Sequence, residues 1–196
     1  KKNIAFFAIA TFLLLITHNL MTLIFLPVLG IWIILQIILE KKFKAIINLI
    51  LGGLLGLGLA AFFTLPVVLE KQYAHLETLI GGYFDYRQHF VDLNQLFLSN
   101  SWGYGSSEFG PVDGLSLSAG NIQVLAMIVT FLLAVINFRK FKKLSIIIFS
   151  LTAFEILTLF MIHQKSSPIW TLLESSLIFL QFPWRFLAIS IFLLCL

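Results

Sequence analysis

Arg185 is the residue best placed in this chain to do chemistry on a phosphate. It sits in Phe-Pro-Trp-Arg-Phe (182–186), where an apolar run begins. A guanidinium offers a planar fork of donors and a permanent charge, which suits a phosphate at headgroup depth. An interface anchor that snorkels to the headgroups would carry the same residue. His18 and Asn19 form a polar pair between two apolar runs. They could touch a lipid phosphate, or cap a tight turn by satisfying free backbone groups. Tyr83, Asp85, Tyr86, Arg87 and His89, with Trp102 and Tyr104 further on, form a polar and aromatic group. Sugars are commonly held by aromatic faces together with carboxylate and guanidinium hydrogen bonds. Tyr and Trp also serve simply to seat a loop on a membrane. Glu155 lies inside an apolar run, where a charge costs at least about 2.5–3.5 kcal/mol. It should face protein, as a structural hydrogen bond or as an ion relay.

Other chemistries find no pattern. There is no Gly-rich phosphate loop and no local nucleophile–base signature. The four histidines, at 18, 75, 89 and 163, lack metal-ligand spacing, so neither a metal nor another cofactor is expected. Glu77 and Asp85 are a conceivable acid/base pair, but nothing in their spacing makes them meet. Cys195 is the only cysteine and carries no information on redox compartment.

These residues must be positioned by membrane helices. The chain has 196 residues, 60% hydrophobic and 11% charged, whereas soluble domains carry about 25% charge. The net charge of +4 does not mark a nucleic-acid binder. Basic residues gather in three short clusters: Lys1-Lys2, then Lys41, Lys42 and Lys44, then Arg139, Lys140, Lys142 and Lys143. Seven acidic residues (Glu70, Glu77, Asp85, Asp92, Glu108, Asp113, Glu174) fall in the segments between apolar crossings. That is the positive-inside bias of a multi-span protein, with the clusters in the cytoplasm.

The hydrophobic runs predict an all-α fold: a polytopic transmembrane helical bundle with a long structured outer loop, in one membrane domain over 1–196. Spans are expected at about 4–17, 20–39, 45–68, 117–138, 144–162 and 184–196. The first is short, about 21 Å at 1.5 Å per residue, and the last is cut off by the end of the chain. The first two are read as a hairpin. In the third, Gly52, Gly53, Gly56 and Gly58 form a small-residue surface that would let another helix approach closely. The outer loop, 70–117, is dense in turn signals. Within it, 70–80 could continue as helix, and 90–98 could form an interfacial helix with Phe90, Leu93, Phe97 and Leu98 on one face. The apolar positions of about 167–181 predict an amphipathic helix lying on the membrane surface. Since the chain starts Lys-Lys-Asn and ends inside an apolar run, it is expected to be a piece of a longer protein whose remaining spans pack against it.

Five stretches carry a resemblance to a known family: Thr-His-Asn (17–19), Leu-Pro-Val-Val-Leu-Glu-Lys (65–71), Gly-Tyr-Phe-Asp-Tyr-Arg-Gln-His-Phe (82–90), Trp-Gly-Tyr-Gly-Ser-Ser (102–107) and Gln-Phe-Pro-Trp-Arg-Phe (181–186). In this order they resemble the 6-pyruvoyl-tetrahydropterin-synthase-related bacterial polytopic membrane proteins. The resemblance implies a layout similar to type C glycosyltransferases, which use polyprenyl-phosphate sugars at the outer face of the bacterial cytoplasmic membrane. It also implies a catalytic carboxylate in an outer loop upstream of Lys1, so no catalytic residue is assigned here. The expected partners are membrane lipid, a polyprenyl-phosphate sugar and a glycan or protein acceptor. A transporter or flippase of a lipid-linked glycan, or a non-catalytic envelope scaffold, are the alternatives.

Overall fold

A computed structural model describes residues 2–73, 75–99, 101–110 and 112–196, without the side chains of Lys71 and Glu77. The conceivable pairing of Glu77 with Asp85 therefore lies outside the described residues. Their regular structure is helical, with no strand among them and one isolated antiparallel bridge between Tyr104 and Leu115. They form two compact units, Lys1–Leu76 and Glu77–Leu196.

The first unit holds α1 (Lys2–Thr17), α2 (Asn19–Glu40), α3 (Ala45–Leu59) and α4 (Ala61–Leu69). His18 alone separates α1 from α2, in extended conformation at φ −167° and ψ 120°. Packing of α1 on α3 dominates the unit, and glycine makes it possible. A Cβ on Gly56 would lie 2.6 Å from Thr11 Cβ and 2.7 Å from the Ala8 carbonyl oxygen. One on Gly52 would lie 2.9 Å from Phe7 Cδ1. The small-residue surface thus lets α1 approach closer than side chains would permit.

The expected single span over 45–68 is instead two helices, bent by 73° at Ala60. Gly58 weakens the helix just before the break. After it, Pro66 removes an N–H and crowds the carbonyl one turn back. Thr64 Oγ1 also bonds back to the Ala60 carbonyl at 3.2 Å, a contact that bends helices. The expected continuation over 70–80 is two separate 3₁₀ turns, Lys71–Tyr73 and Leu76–Leu79.

The second unit holds α5 (Leu93–Phe97), α6 (Asn121–Ile136), α7 (Lys142–Ile162), α8 (Ser167–Leu172), α9 (Glu174–Leu177) and α10 (Leu187–Leu194), linked by 3₁₀ turns. Its core joins Val91, Leu96, Leu117, Ala119, Ile162 and Leu187, with Trp184 and Phe186 packed against it. The expected interfacial helix shrinks to α5. Its inward residue is Leu96, while Leu93 and Leu98 are exposed. Leu117 and Ala119, expected to open a span, belong to this core instead. The Ala119 N–H donates to the Leu96 carbonyl at 3.0 Å, and α6 starts only at Asn121.

The expected surface helix over 167–181 is broken into α8, α9 and a 3₁₀ turn, Ile178–Leu180. Trp170, Leu177 and Leu180 are buried in protein, and Leu172 is exposed. Periodicity placed the apolar residues on one face. Burial of Trp170, whose indole N–H donates to the Met161 carbonyl at 3.0 Å, decided what that face meets.

By length and composition, α2 and α7 are each able to cross a membrane. Two bent pairs, α3 with α4 and 174–180 with 183–194, pass the same test as pairs. At 16 residues each, α1 and α6 are about 24 Å long, short of a bilayer core of about 30 Å.

Candidate functional site

Phe182 is the hub of the site. Gln181, at φ 62°, turns the chain, and Pro183 then opens a 3₁₀ turn that leads into α10. The buried Phe182 ring touches His89 at 4.7 Å, Tyr83 at 5.9 Å and Phe84 at 6.2 Å between centroids. On its other contacts it stacks with Trp184 at 5.2 Å and lies 5.3 Å from Arg185 Cζ. Two of the motifs singled out in sequence, 82–90 and 181–186, thus meet around one ring.

Arg185 Nη2 donates to Gln181 Oε1 at 3.2 Å, and Gln181 Nε2 donates to the Leu79 carbonyl at 2.9 Å. Gln181 therefore anchors the guanidinium to the backbone of the loop. Arg185 Nη1 and Trp184 Nε1 are both buried and have no hydrogen-bond partner among the described residues. No carboxylate among those residues pairs with Arg185. Donors sealed from water without acceptors cost about 1–3 kcal/mol each.

The loop residues divide into interior and exterior. His89 is buried, with Nδ1 2.9 Å from Ser107 Oγ and Nε2 2.6 Å from the Tyr83 carbonyl oxygen. Tyr83 donates its hydroxyl to the Ser107 carbonyl at 2.7 Å. Tyr86 is buried as well, stacked on Trp170 at 5.0 Å. The polar atoms of Tyr83 and His89, and the ring face that Tyr86 turns to Trp170, are thus engaged in folding the loop.

Arg87 is half-exposed. It bonds Glu174 at 2.5 Å and Asp85 at 3.3 Å, and its guanidinium lies 4.7 Å from the Tyr86 ring centroid. The hydrogen bond that Arg87 donates to the Glu174 carboxylate holds its pKa above the ordinary arginine value. Asp85 also accepts the backbone N–H of Arg87.

Trp102 and Tyr104 lie outside this interior. They are 74% and 90% exposed, and pair edge-to-face at 4.7 Å. A narrow ribbon carries them: Gly105 N–H donates to the Gly114 carbonyl, and Gly114 N–H to that of Ser106. A Cβ on Gly105 would fall 2.6 Å from Gly114 Cα, so the two backbones can meet only there because both residues lack side chains. Asp113 braces the ribbon, accepting from Glu108 N–H at 2.8 Å and from Gln95 Nε2 at 2.6 Å.

His18 and Asn19 belong to the first unit. His18 Nδ1 accepts the backbone N–H groups of Leu20 at 3.2 Å and Met21 at 3.4 Å, and so caps α2, whose first residue is Asn19. Glu155, on α7, is 1% exposed. Its Oε1 accepts from the buried Ser190 of α10 at 2.5 Å, and its Oε2 has no partner among the described residues. Those residues contain no group of three or more His, Cys, Asp or Glu that could hold a metal ion.

Gln181, Phe182, Trp184 and Ser107 were not among the candidate side chains, although all four lie inside the quoted motifs. Ser190 and Glu174 had no local signal, because their roles rest on partners 35 and 87 positions away.

No family model matches the chain, and neither a curated protein nor a solved structure is significantly similar to it.

Proposed function

We propose that this chain is part of a membrane glycosyltransferase-like protein that uses a polyprenyl-phosphate-linked sugar at the outer face of the bacterial cytoplasmic membrane. The observation that carries the reading is the pair of buried, unpartnered donors on Trp184 and Arg185. A phosphate offers several anionic oxygens as acceptors for such donors, and charge-assisted bonds of this kind are the strong ones. Gln181 holds the guanidinium in place, and the exposed Trp102–Tyr104 pair offers a stacking face to a sugar or acceptor.

The reading takes the chain as a polytopic bundle with its basic turns in the cytoplasm and residues 82–115 outside, similar in layout to the 6-pyruvoyl-tetrahydropterin-synthase-related membrane proteins. The catalytic carboxylate would come from elsewhere in a longer chain. Transport of a lipid-linked glycan is a second reading, favoured by one observation: a buried carboxylate on a membrane-length helix, as transporters often carry.

The test is binding of undecaprenyl phosphate against undecaprenol by the protein in nanodiscs, read by native mass spectrometry. The phosphate should bind at least about tenfold tighter. Arg185→Ala should abolish the difference, Arg185→Lys should keep part of it, and Lys165→Ala should leave it intact. Equal affinity for the two lipids, or an Arg185→Ala protein that still prefers the phosphate, would count against this function.

A further inference from the structure

Glu155 has a second feature that the phosphate site does not use: it lines a cavity of about 140 Å³ between α6, α7 and α10. Met127, Ile148, Leu151 and Leu193 supply apolar wall, and Thr130 and Thr152 are the other lining residues with side-chain oxygens. A dry apolar cavity of about 150 Å³ is enough for a benzene-sized molecule. One carboxylate oxygen is already engaged by Ser190 and the other has no partner among the described residues. The second oxygen is sealed off in this arrangement; the terminal torsion of a glutamate is soft, so binding requires the carboxylate to turn toward the cavity, with the Ser190 hydroxyl following Oε1.

We propose that this cavity binds a membrane-soluble alcohol, with the hydroxyl on Glu155 and six or so carbon atoms against the apolar wall. The wall excludes ligands that are polar throughout. A bare cation would want about six oxygens at once, whereas the oxygen-bearing side chains of this lining are Thr130, Thr152 and Glu155, the last with one oxygen taken by Ser190. A hydroxyl is matched to this carboxylate for a further reason: it both donates and accepts. It therefore completes the free oxygen whether the carboxyl group is ionised or protonated. An ammonium serves only the ionised form, and an ether only the protonated one. The position, inside a membrane-length helix that packs on α10, is reached from lipid rather than from water.

Cyclohexanol and methylcyclohexane are matched probes, alike in size and differing by hydroxyl against methyl. Their binding to the protein in nanodiscs can be followed by saturation-transfer NMR, with empty nanodiscs as the blank and cyclohexylamine as a third ligand. Cyclohexanol should bind saturably and about fivefold or more tighter than methylcyclohexane, as one buried hydrogen bond allows. Glu155→Leu should remove that preference. Should this variant fail to fold, Ala126→Phe, at an exposed lining position, fills the cavity while leaving the carboxylate in place, and should abolish saturable binding. Equal binding of the two matched probes, tighter binding of the amine than of the alcohol, or saturable cyclohexanol binding that survives Ala126→Phe would each overturn the proposal.

Discussion

Tyr86 lies stacked on Trp170, ring centroids 5.0 Å apart and planes 22° apart. The contact joins the 82–90 segment to the 167–180 segment, and Phe90 and Phe186 pack on the same indole at 5.9 and 6.0 Å. Both partners are buried. The stack is therefore a structural joint between the expected outer loop and a segment expected in sequence to lie on the membrane surface.

Trp170→Ala should destabilise the second unit by about 3–5 kcal/mol, the usual cost of deleting a large buried aromatic. Limited proteolysis in detergent should then cut within 81–110 much faster than in the parent. Unchanged cleavage would mean that the stack does not hold the segment down.

Gly56→Ala and Gly58→Ala should have opposite signs. The first places a methyl group 2.6 Å from Thr11 Cβ and against the Ala8 carbonyl, and should cost about 1–3 kcal/mol by forcing α1 away from α3. The second meets nothing within 4 Å and should be neutral or stabilise by up to about 1 kcal/mol. Thermal unfolding of the two variants in one detergent makes the comparison, and equal shifts would contradict the packing described.

Arg87 and Glu174 should couple weakly despite their short contact, because both side chains are more than a third exposed or close to it. A double-mutant cycle with Arg87→Met and Glu174→Gln should give about 1 kcal/mol or less, falling as salt is added. The folded pKa of Arg87 is raised, so its share of stability is complete below the ordinary arginine value and is lost only above the raised one. Raising the pH from about 7 to about 10 should therefore leave the coupling unchanged. A coupling that disappears over that interval would show that the guanidinium is not the group involved.

Cysteines at positions 106 and 141, introduced by Ser106→Cys and Phe141→Cys, should label from opposite sides of the membrane. The background needs Cys195→Ser, because that thiol is exposed. A membrane-impermeant maleimide applied to intact cells should reach position 106 and spare position 141. Labelling of both, or of 141 alone, would remove the topology on which the outer-face reading stands.

Hydrophobic run length set most of the helices in advance. The starts of α2, α3 and α7 lie within two residues of the expected spans, because an uninterrupted apolar run leaves a helix as its simplest hydrogen-bonded form. The close approach at Gly52 and Gly56 was legible too, since a small-residue surface has little use other than contact. The break at Ala60 was not read, although Gly58 and Pro66 both stood in view. Each weakens a helix a little, and only their sum with neighbouring packing produces a 73° bend.

The site divides along the same line. Sequence alone fixed the all-helical character, the membrane-length apolar segments and the concentration of polar aromatics between them, since these follow from composition and local periodicity. Tertiary structure alone decided that His89 and Tyr86 turn inward while Trp102 and Tyr104 face out, that Phe182 gathers two distant motifs, and that Ser190 engages one oxygen of Glu155. Those outcomes depend on which buried groups find partners dozens of residues away, and no local pattern encodes a partner at that distance.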